Sequence, residues 1–311
     1  MAAVDAFAPD LPIYRHLGRT EAQRDWLARL PSLVASYERR WGISTGSPFR
    51  AGTSSWAAPA TTADGRDAVL KIAWPHPEAR EEGTGLRFWA GDGAVLAYDT
   101  DRADYALLLE RCVPGTTLVE AGLSTEDSLT AGAGVAHRLW SRTPPAESTM
   151  DDMGTVTREW AVLVRERMAW HQPPFDRGVV AHAADLLAAL PSSAARRVVV
   201  HGDLNPGNLL AAQRHPWLAI DAKPMVGDPA YDPSPLLCQV DNPFTAADPE
   251  GEVRRRYAMF AALVGEPADR LLGWTLARMV ESALWLVDSG RPEPAEAEMR
   301  DATVVARVLG V

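Results

Sequence analysis

VVVHGDLNPGNLL, Val198 to Leu210, restricts the fate of this chain more than any other stretch. Its three valines favour a buried strand. His201, Gly202 and Asp203 then interrupt that strand, and Pro206, Gly207 and Asn208 follow closely. Glycine and proline at such positions shape a turn. Ionisable groups beside a buried strand carry a desolvation penalty, so the interruption calls for a chemical reason. A second apolar run, Pro216 to Ile220, ends in another carboxylate, Asp221.

Phosphoryl transfer from a nucleotide supplies such a reason. The phosphates need a lysine and metal ions, the ions need hard oxygen donors such as Asp and Asn, and the acceptor hydroxyl needs a carboxylate to orient it and take its proton. Protein kinases collect these parts in an H-R-D-x-x-x-x-N loop, a metal-binding Asp on the next hairpin, and a lysine on a strand of a smaller lobe. This chain has the same order: His201-Gly202-Asp203, four residues, Asn208, two short strand-like runs, then Asp221. Gly202 stands where the kinase loop has Arg. Lys71 lies upstream in the strand-like AVLKIAW, and Glu82 follows on the next helical segment, where a lysine-pairing carboxylate belongs. Glu78 and Glu81 compete for that role. Asp203 is therefore the expected base, Asn208 and Asp221 the metal ligands, and Lys71 with Glu82 the phosphate anchor. His201 reads as a packing residue. Lys223 replaces the glycine that follows the metal-binding Asp in protein kinases, and no role is assigned to it.

Organisation along the chain fits this order. At 311 residues and 47% hydrophobic content, two lobes are expected. Residues 21 to 41 have helical spacing, with Pro31 expected to kink or restart the helix. From Gly42 to Ile72 the texture is strand and turn, with a hairpin turn at Ala63-Asp64-Gly65; a short helix near residues 75–91 and strands over GAVLAYDT and YALLLERC follow. After Pro114-Gly115 helices dominate: one capped by Ser124 and Asp127 and running to about Trp140, others near 157–171 and 180–190. A strand-and-turn insert follows at 197–232, then three helices near 250–265, 268–288 and 293–308. The expectation is an α+β chain with a small antiparallel β-sheet N-lobe over 1–111 and a larger, mainly helical C-lobe over 112–311.

HGDLNPGN and AID resemble the loop of the aminoglycoside phosphotransferase and choline-kinase-like superfamily, which has the protein-kinase-like bilobal fold. A narrower resemblance covers most of the chain. LLLERC with PGT at 107–116, WLAID at 217–221, VGDPAYD at 226–232 and GWTLARMVESALW at 273–285 are similar to the aminoglycoside/hydroxyurea antibiotic resistance kinase family. That resemblance implies an ATP- and Mg²⁺-dependent small-molecule kinase. Its acceptor would be an aminoglycoside, with streptomycin at its 6-hydroxyl first in line and hydroxyurea or a metabolic amino sugar or alcohol as alternatives. An inactive nucleotide-binding regulator is a less favoured reading. The resemblance also places the Glu110 carbonyl and the Cys112 amide against adenine, with Leu109 behind. It puts Ser54 or Ser55, in GTSSWAAPATTADG, near a phosphate in place of a glycine-rich loop. Asp228 and Asp232 in GDPAYD are expected to pin the catalytic loop from below, with a substrate role for Asp228 as the alternative.

Trp274, Arg278, Glu281, Trp285 and Asp288 recur at three- and four-residue steps and share one face of an otherwise apolar helix. Aromatic and acidic groups on one face suit a cationic ring-shaped ligand. Arg278 paired with Glu281, and tryptophans as core, is the competing account. A net charge of −10 disfavours nucleic acid and is consistent with a cationic acceptor. Two cysteines build no disulfide framework, and seven histidines supply no metal cage. No run is long and apolar enough to span a membrane, and MAAVDAFAPDL lacks the pattern of a secretion signal, so a cytoplasmic monomer is expected.

Overall fold

The computed structural model describes residues 6–311; the leader reading on residues 1–11 falls partly outside them. Two units partition the chain, Met1–Gly115 and Thr116–Val311, so the division lies at the far end of the 111–115 linker rather than its start.

Period-two burial builds the first unit. Strands β1 (Ile43–Thr45), β2 (Ser55–Thr62), β3 (Asp67–Ala73), β4 (Ala97–Asp101) and β5 (Ala106–Glu110) form an antiparallel sheet in the order β1-β2-β3-β5-β4. Trp56, Ala58 and Ala60 of β2 and Ala68, Leu70 and Ile72 of β3 join one core with Leu108 of β5. Helix α1 (Pro12–His16) and helix α2 (Glu21–Trp41) cover that core through Ile13, Trp26, Leu27, Leu30, Val34 and Tyr37. Thr20 and Gln23 close a capping box at the start of α2. The helix does not restart at Pro31: α2 runs from Glu21 to Trp41 with the proline inside it. An interior proline costs roughly 3 kcal/mol, and burial of five large side chains on the opposing face outweighs that. Alternation places Lys71 on the sheet face opposite Leu70 and Ile72, toward helix α3 (Glu82–Trp89). The Gly52–Gly65 stretch is the exit of the β1–β2 connection followed by β2 itself, with the tight turn at Asp64 and Gly65.

Helices α4 (Thr125–Leu139), α5 (Met153–His171), α6 (Arg177–Ala189), α7 (Ser234–Gln239), α8 (Pro249–Val264), α9 (Ala268–Asp288) and α10 (Pro292–Leu309) make up most of the second unit. Ser124 caps α4 by accepting from the Asp127 N–H. Helix α9 is buried around most of its circumference and packs against α5, α6, α8 and α10. Two small sheets sit among the helices. Strands β8 (Leu209–Ala211) and β9 (Trp217–Ala219) pair antiparallel, as the two apolar runs imply. Strands β6 (Asp151–Asp152), β7 (Val198–Val200) and β10 (Met225–Gly227) form a sheet that local pattern did not announce. The three valines of β7 were legible as a strand, but not its partners: β6, with two residues, and β10, with three, carry too little periodicity to be read, and the same holds for the six-residue helix α7. Among the described residues no helix is long and apolar enough to cross a membrane.

Candidate active site

Within the first unit, Lys71 and Glu82 meet. The Lys71 ammonium donates to both Glu82 carboxylate oxygens at 2.7 Å, and the residues are 7% and 3% exposed. The choice among three glutamates is thereby made. Glu81 binds Arg80 and Arg102 instead, and Glu78 lies exposed in a short 3₁₀ turn. Glu110 ends β5, and its carboxylate accepts from the Leu96 N–H at 2.9 Å. Leu109 is buried beside it. Cys112 follows in a turn that closes at Gly115, where φ is +79° and a Cβ would lie 2.9 Å from the Cys112 carbonyl oxygen. Ser54 and Ser55 anchor the exit of the β1–β2 connection to the end of β3: the Ser54 carbonyl accepts from the Trp74 N–H, and Ser55 pairs with Ala73.

In the second unit, the end of β7 delivers the Asp203 loop. Asp232, fully buried, accepts from the His201 and Gly202 N–H groups at 2.7 Å each and from the Trp140 indole at 3.0 Å. This is the pin from below. Gly202 has φ +85°, and a Cβ there would lie 2.1 Å from the Lys223 carbonyl oxygen. Only glycine lets the two strands of the loop approach so closely, which is why the kinase arginine is absent. Burial pushes the His201 pKa down, so its imidazole is neutral. Its Nδ1 faces the Asp203 N–H at 3.3 Å and its Nε2 the Ile220 carbonyl at 3.0 Å, which assigns the proton to Nε2.

Two asparagine amides hold Asp203. The Asn208 Nδ2 donates to its carbonyl at 3.0 Å, and the Asn205 Nδ2 donates to its carboxylate Oδ1 at 3.1 Å. Asn205 Oδ1 in turn caps the short turn Pro206–Asn208 through the Gly207 and Asn208 N–H groups. The Asn208 amide nitrogen is thus engaged on the loop, and its Oδ1 is a hard oxygen donor. Asp221 is exposed and left-handed, φ +61°, two residues past β9. Asn208 and Asp221 are oxygen donors of the type Mg²⁺ takes when phosphates complete its shell. Among the described residues no cluster of three or more His, Cys, Asp or Glu forms a self-sufficient metal cage.

Sequence reasoning gave Asn205 no role and gave Arg278 the wrong partner. Asn205 caps a turn that begins with proline, a pattern that could have flagged it. Arg278 was legible as a member of the helix stripe, but not its partners. It donates to the Gly202 carbonyl at 3.1 Å and the Tyr231 carbonyl at 3.0 Å, with its guanidinium 4.1 Å from the Tyr231 ring centre.

The stripe on α9 needs correction. Trp274 is fully buried, and its indole donates to Asp228, itself 1% exposed and paired with Arg270. Neither side chain offers a surface to a soluble acceptor. Arg278 does not pair with Glu281; Glu281 binds Arg167 of α5 at 3.0 Å. Trp285 emerges at 48% exposure, and Asp288 binds His171 at 2.8 Å. The face runs from interior to surface along the helix.

A lysine–carboxylate pair under a five-stranded antiparallel sheet, and an Asp–Asn loop with a following Asp in a helical unit, define a protein-kinase-like α+β phosphotransferase. A solved aminoglycoside phosphotransferase, captured as a ternary complex with ADP and hygromycin B, shares the fold with a TM-score of 0.58 and 18% identity, covering 89% of this chain and 98% of that one. The chain belongs to the aminoglycoside/hydroxyurea antibiotic resistance kinase family, which it matches over residues 40–290. It is 33% identical to streptomycin 6-kinase of Streptomyces griseus over 92% of either chain. It is 34% identical to hydroxyurea phosphotransferase of Kitasatospora aureofaciens over 91% of this chain and 81% of that one.

Proposed function

We propose that this protein transfers the γ-phosphoryl group of ATP to a hydroxyl of an aminoglycoside, with the streptomycin 6-hydroxyl as the acceptor. The observation that carries phosphoryl transfer is the locked loop: Asp203 and Asn208 are fixed to each other while the Asp203 side chain stays 24% exposed. In this reading Asp203 orients the acceptor hydroxyl and takes its proton. Lys71, aimed by Glu82, holds the α- and β-phosphates. Backbone groups of Glu110 and Cys112 meet the adenine, and Ser54 or Ser55 borders the phosphates. Asn208 and Asp221 would hold Mg²⁺, which when bound neutralises the phosphate charge. Glu281 and the exposed ring of Trp285 receive the cationic acceptor, where aromatic face and carboxylate act together. Asp228 and Trp274 are excluded from that role by their burial.

Near-equal identity to a hydroxyurea phosphotransferase favours hydroxyurea as the second acceptor reading. A coupled ADP-release assay across streptomycin, hydroxyurea, hygromycin B and choline decides between them. The expected result is ADP release with streptomycin and a phosphate ester at its 6-hydroxyl by NMR. Turnover with hydroxyurea alone would replace the acceptor, and ATP binding without transfer to any acceptor would overturn the enzymatic reading.

A further inference from the structure

Lysine occurs at only two positions in this chain, Lys71 and Lys223; the other 29 of its 31 basic Lys and Arg residues are arginine. Arginine also makes the structural contacts that need a cation: Arg256, Arg270 and Arg278 all bind backbone carbonyls in the second unit. A guanidinium is a planar fork suited to such fixed sites, whereas an ammonium is a compact charge on a mobile stem. Lys71 sits where a phosphate anchor belongs. Lys223 sits beside Asp203, its ammonium 3.5 Å from Oδ2.

Stability does not explain that position. The two side chains are 39% and 24% exposed, and exposed pairs of this kind contribute little. The root of Lys223 is nevertheless fixed. Its N–H donates to the His201 carbonyl at 2.7 Å, and its carbonyl packs against Gly202. The main chain thus ties the residue to the loop that carries Asp203 and leaves the stem to reach forward. Asn205 takes one acceptor position of Asp203 Oδ1, and Lys223 faces Oδ2, so an acceptor hydroxyl that binds Oδ2 meets both the carboxylate and the ammonium. An acceptor oxygen within about 3 Å of Oδ2 brings the phosphorus that bonds to it within reach of the ammonium.

Resting on the reading of Asp203 as the proton acceptor, we propose that Lys223 is a further catalytic residue whose ammonium binds the phosphoryl group in flight. The new bond joins the acceptor oxygen to the γ-phosphorus. The bond from that phosphorus to the β,γ-bridging oxygen breaks, and its electron pair leaves on ADP. The acceptor proton passes to Asp203. Lys223 keeps all three protons and exchanges its contact with Asp203 for the phosphoryl oxygens, where charge in the transition state must be neutralised.

Lys223→Met and Lys223→Arg in the full chain test this, with Asp203→Ala alongside. Both Lys223 variants retain the main-chain bond to His201, so unchanged melting is expected. Lys223→Met lowers kcat about 10²-fold while the KM for ATP stays within about twofold. A readout independent of turnover and of acceptor identity is the affinity for ADP against that for ADP with aluminium fluoride, a mimic of the phosphoryl in flight. Lys223→Met leaves ADP binding unchanged and weakens the fluoride complex at least ~10-fold, and Lys223→Arg restores only part of either loss. Loss of ADP and mimic binding in equal measure, or wild-type kcat in Lys223→Met, overturns the proposal. Wild-type turnover in Asp203→Ala overturns the underlying reading instead, whereas an inactive Asp203→Ala beside a normal Lys223→Met overturns Lys223 alone.

Discussion

The two units hold their functional groups by different physics. In the first, Lys71 and Glu82 secure each other, side chain to side chain, below a sheet. In the second, the Asp203 loop is secured to main chain: Asp232 binds two backbone N–H groups, Arg278 a backbone carbonyl, Asn208 another. A side-chain pair can be removed as a unit, because replacing both members strands neither of the two charges. A carboxylate whose partners are main chain cannot, because the backbone donors stay. The first device lets one residue be aimed; the second keeps a whole loop in one shape.

Experiments that break this contrast follow in order of size. Asp203→Ala, which removes the proposed base and leaves its supports, lowers turnover at least ~10²-fold in the ADP-release assay with little change in nucleotide affinity. Asp232→Ala leaves two backbone N–H groups and an indole N–H buried without an acceptor. It should destabilise the second unit by about 3–5 kcal/mol in denaturant unfolding, with no second substitution able to restore it. Lys71→Met costs about 3 kcal/mol by stranding the buried Glu82 carboxylate. Lys71→Met combined with Glu82→Leu recovers most of that stability and none of the activity. Failure of the double variant to recover would erase the distinction between the two devices.

The smallest effect is a pH dependence centred on His201. Its folded pKa lies below its ordinary value of 6.5 because burial penalises the charged form. The unfolded chain therefore binds a proton that the native imidazole refuses, and stability falls as pH drops through 6.5 toward the folded value. Unfolding measured from neutral to acid pH should show a shallower decline in His201→Asn than in the parent.

Much of this was legible before any coordinates. Asp203, Asn208 and Asp221 announce themselves because loop chemistry is local: a strand, a turn of fixed length, a short hairpin. Lys71 stood out as a lone charge in an apolar strand. The α9 stripe was legible as a face and not as a surface, since helical spacing says which residues align and nothing of what covers them. Trp274 and Trp285 occupy the same stripe, and one is fully buried while the other is half exposed. The helix continues past Pro31 for a related reason. Local propensity is worth a few kcal/mol, and the buried face of α2 outweighs it.

Sequence alone determined the kinase-like order of parts, the catalytic loop and its glycine, because each depends on residue type at short fixed spacing. Only the tertiary structure decided which glutamate meets Lys71, that Arg278 braces the Gly202 carbonyl, that Asp228 and Trp274 belong to the interior, and that Lys223 faces Asp203. These contacts join residues distant along the chain, or turn on the direction a side chain takes from a folded backbone. No spacing rule encodes either.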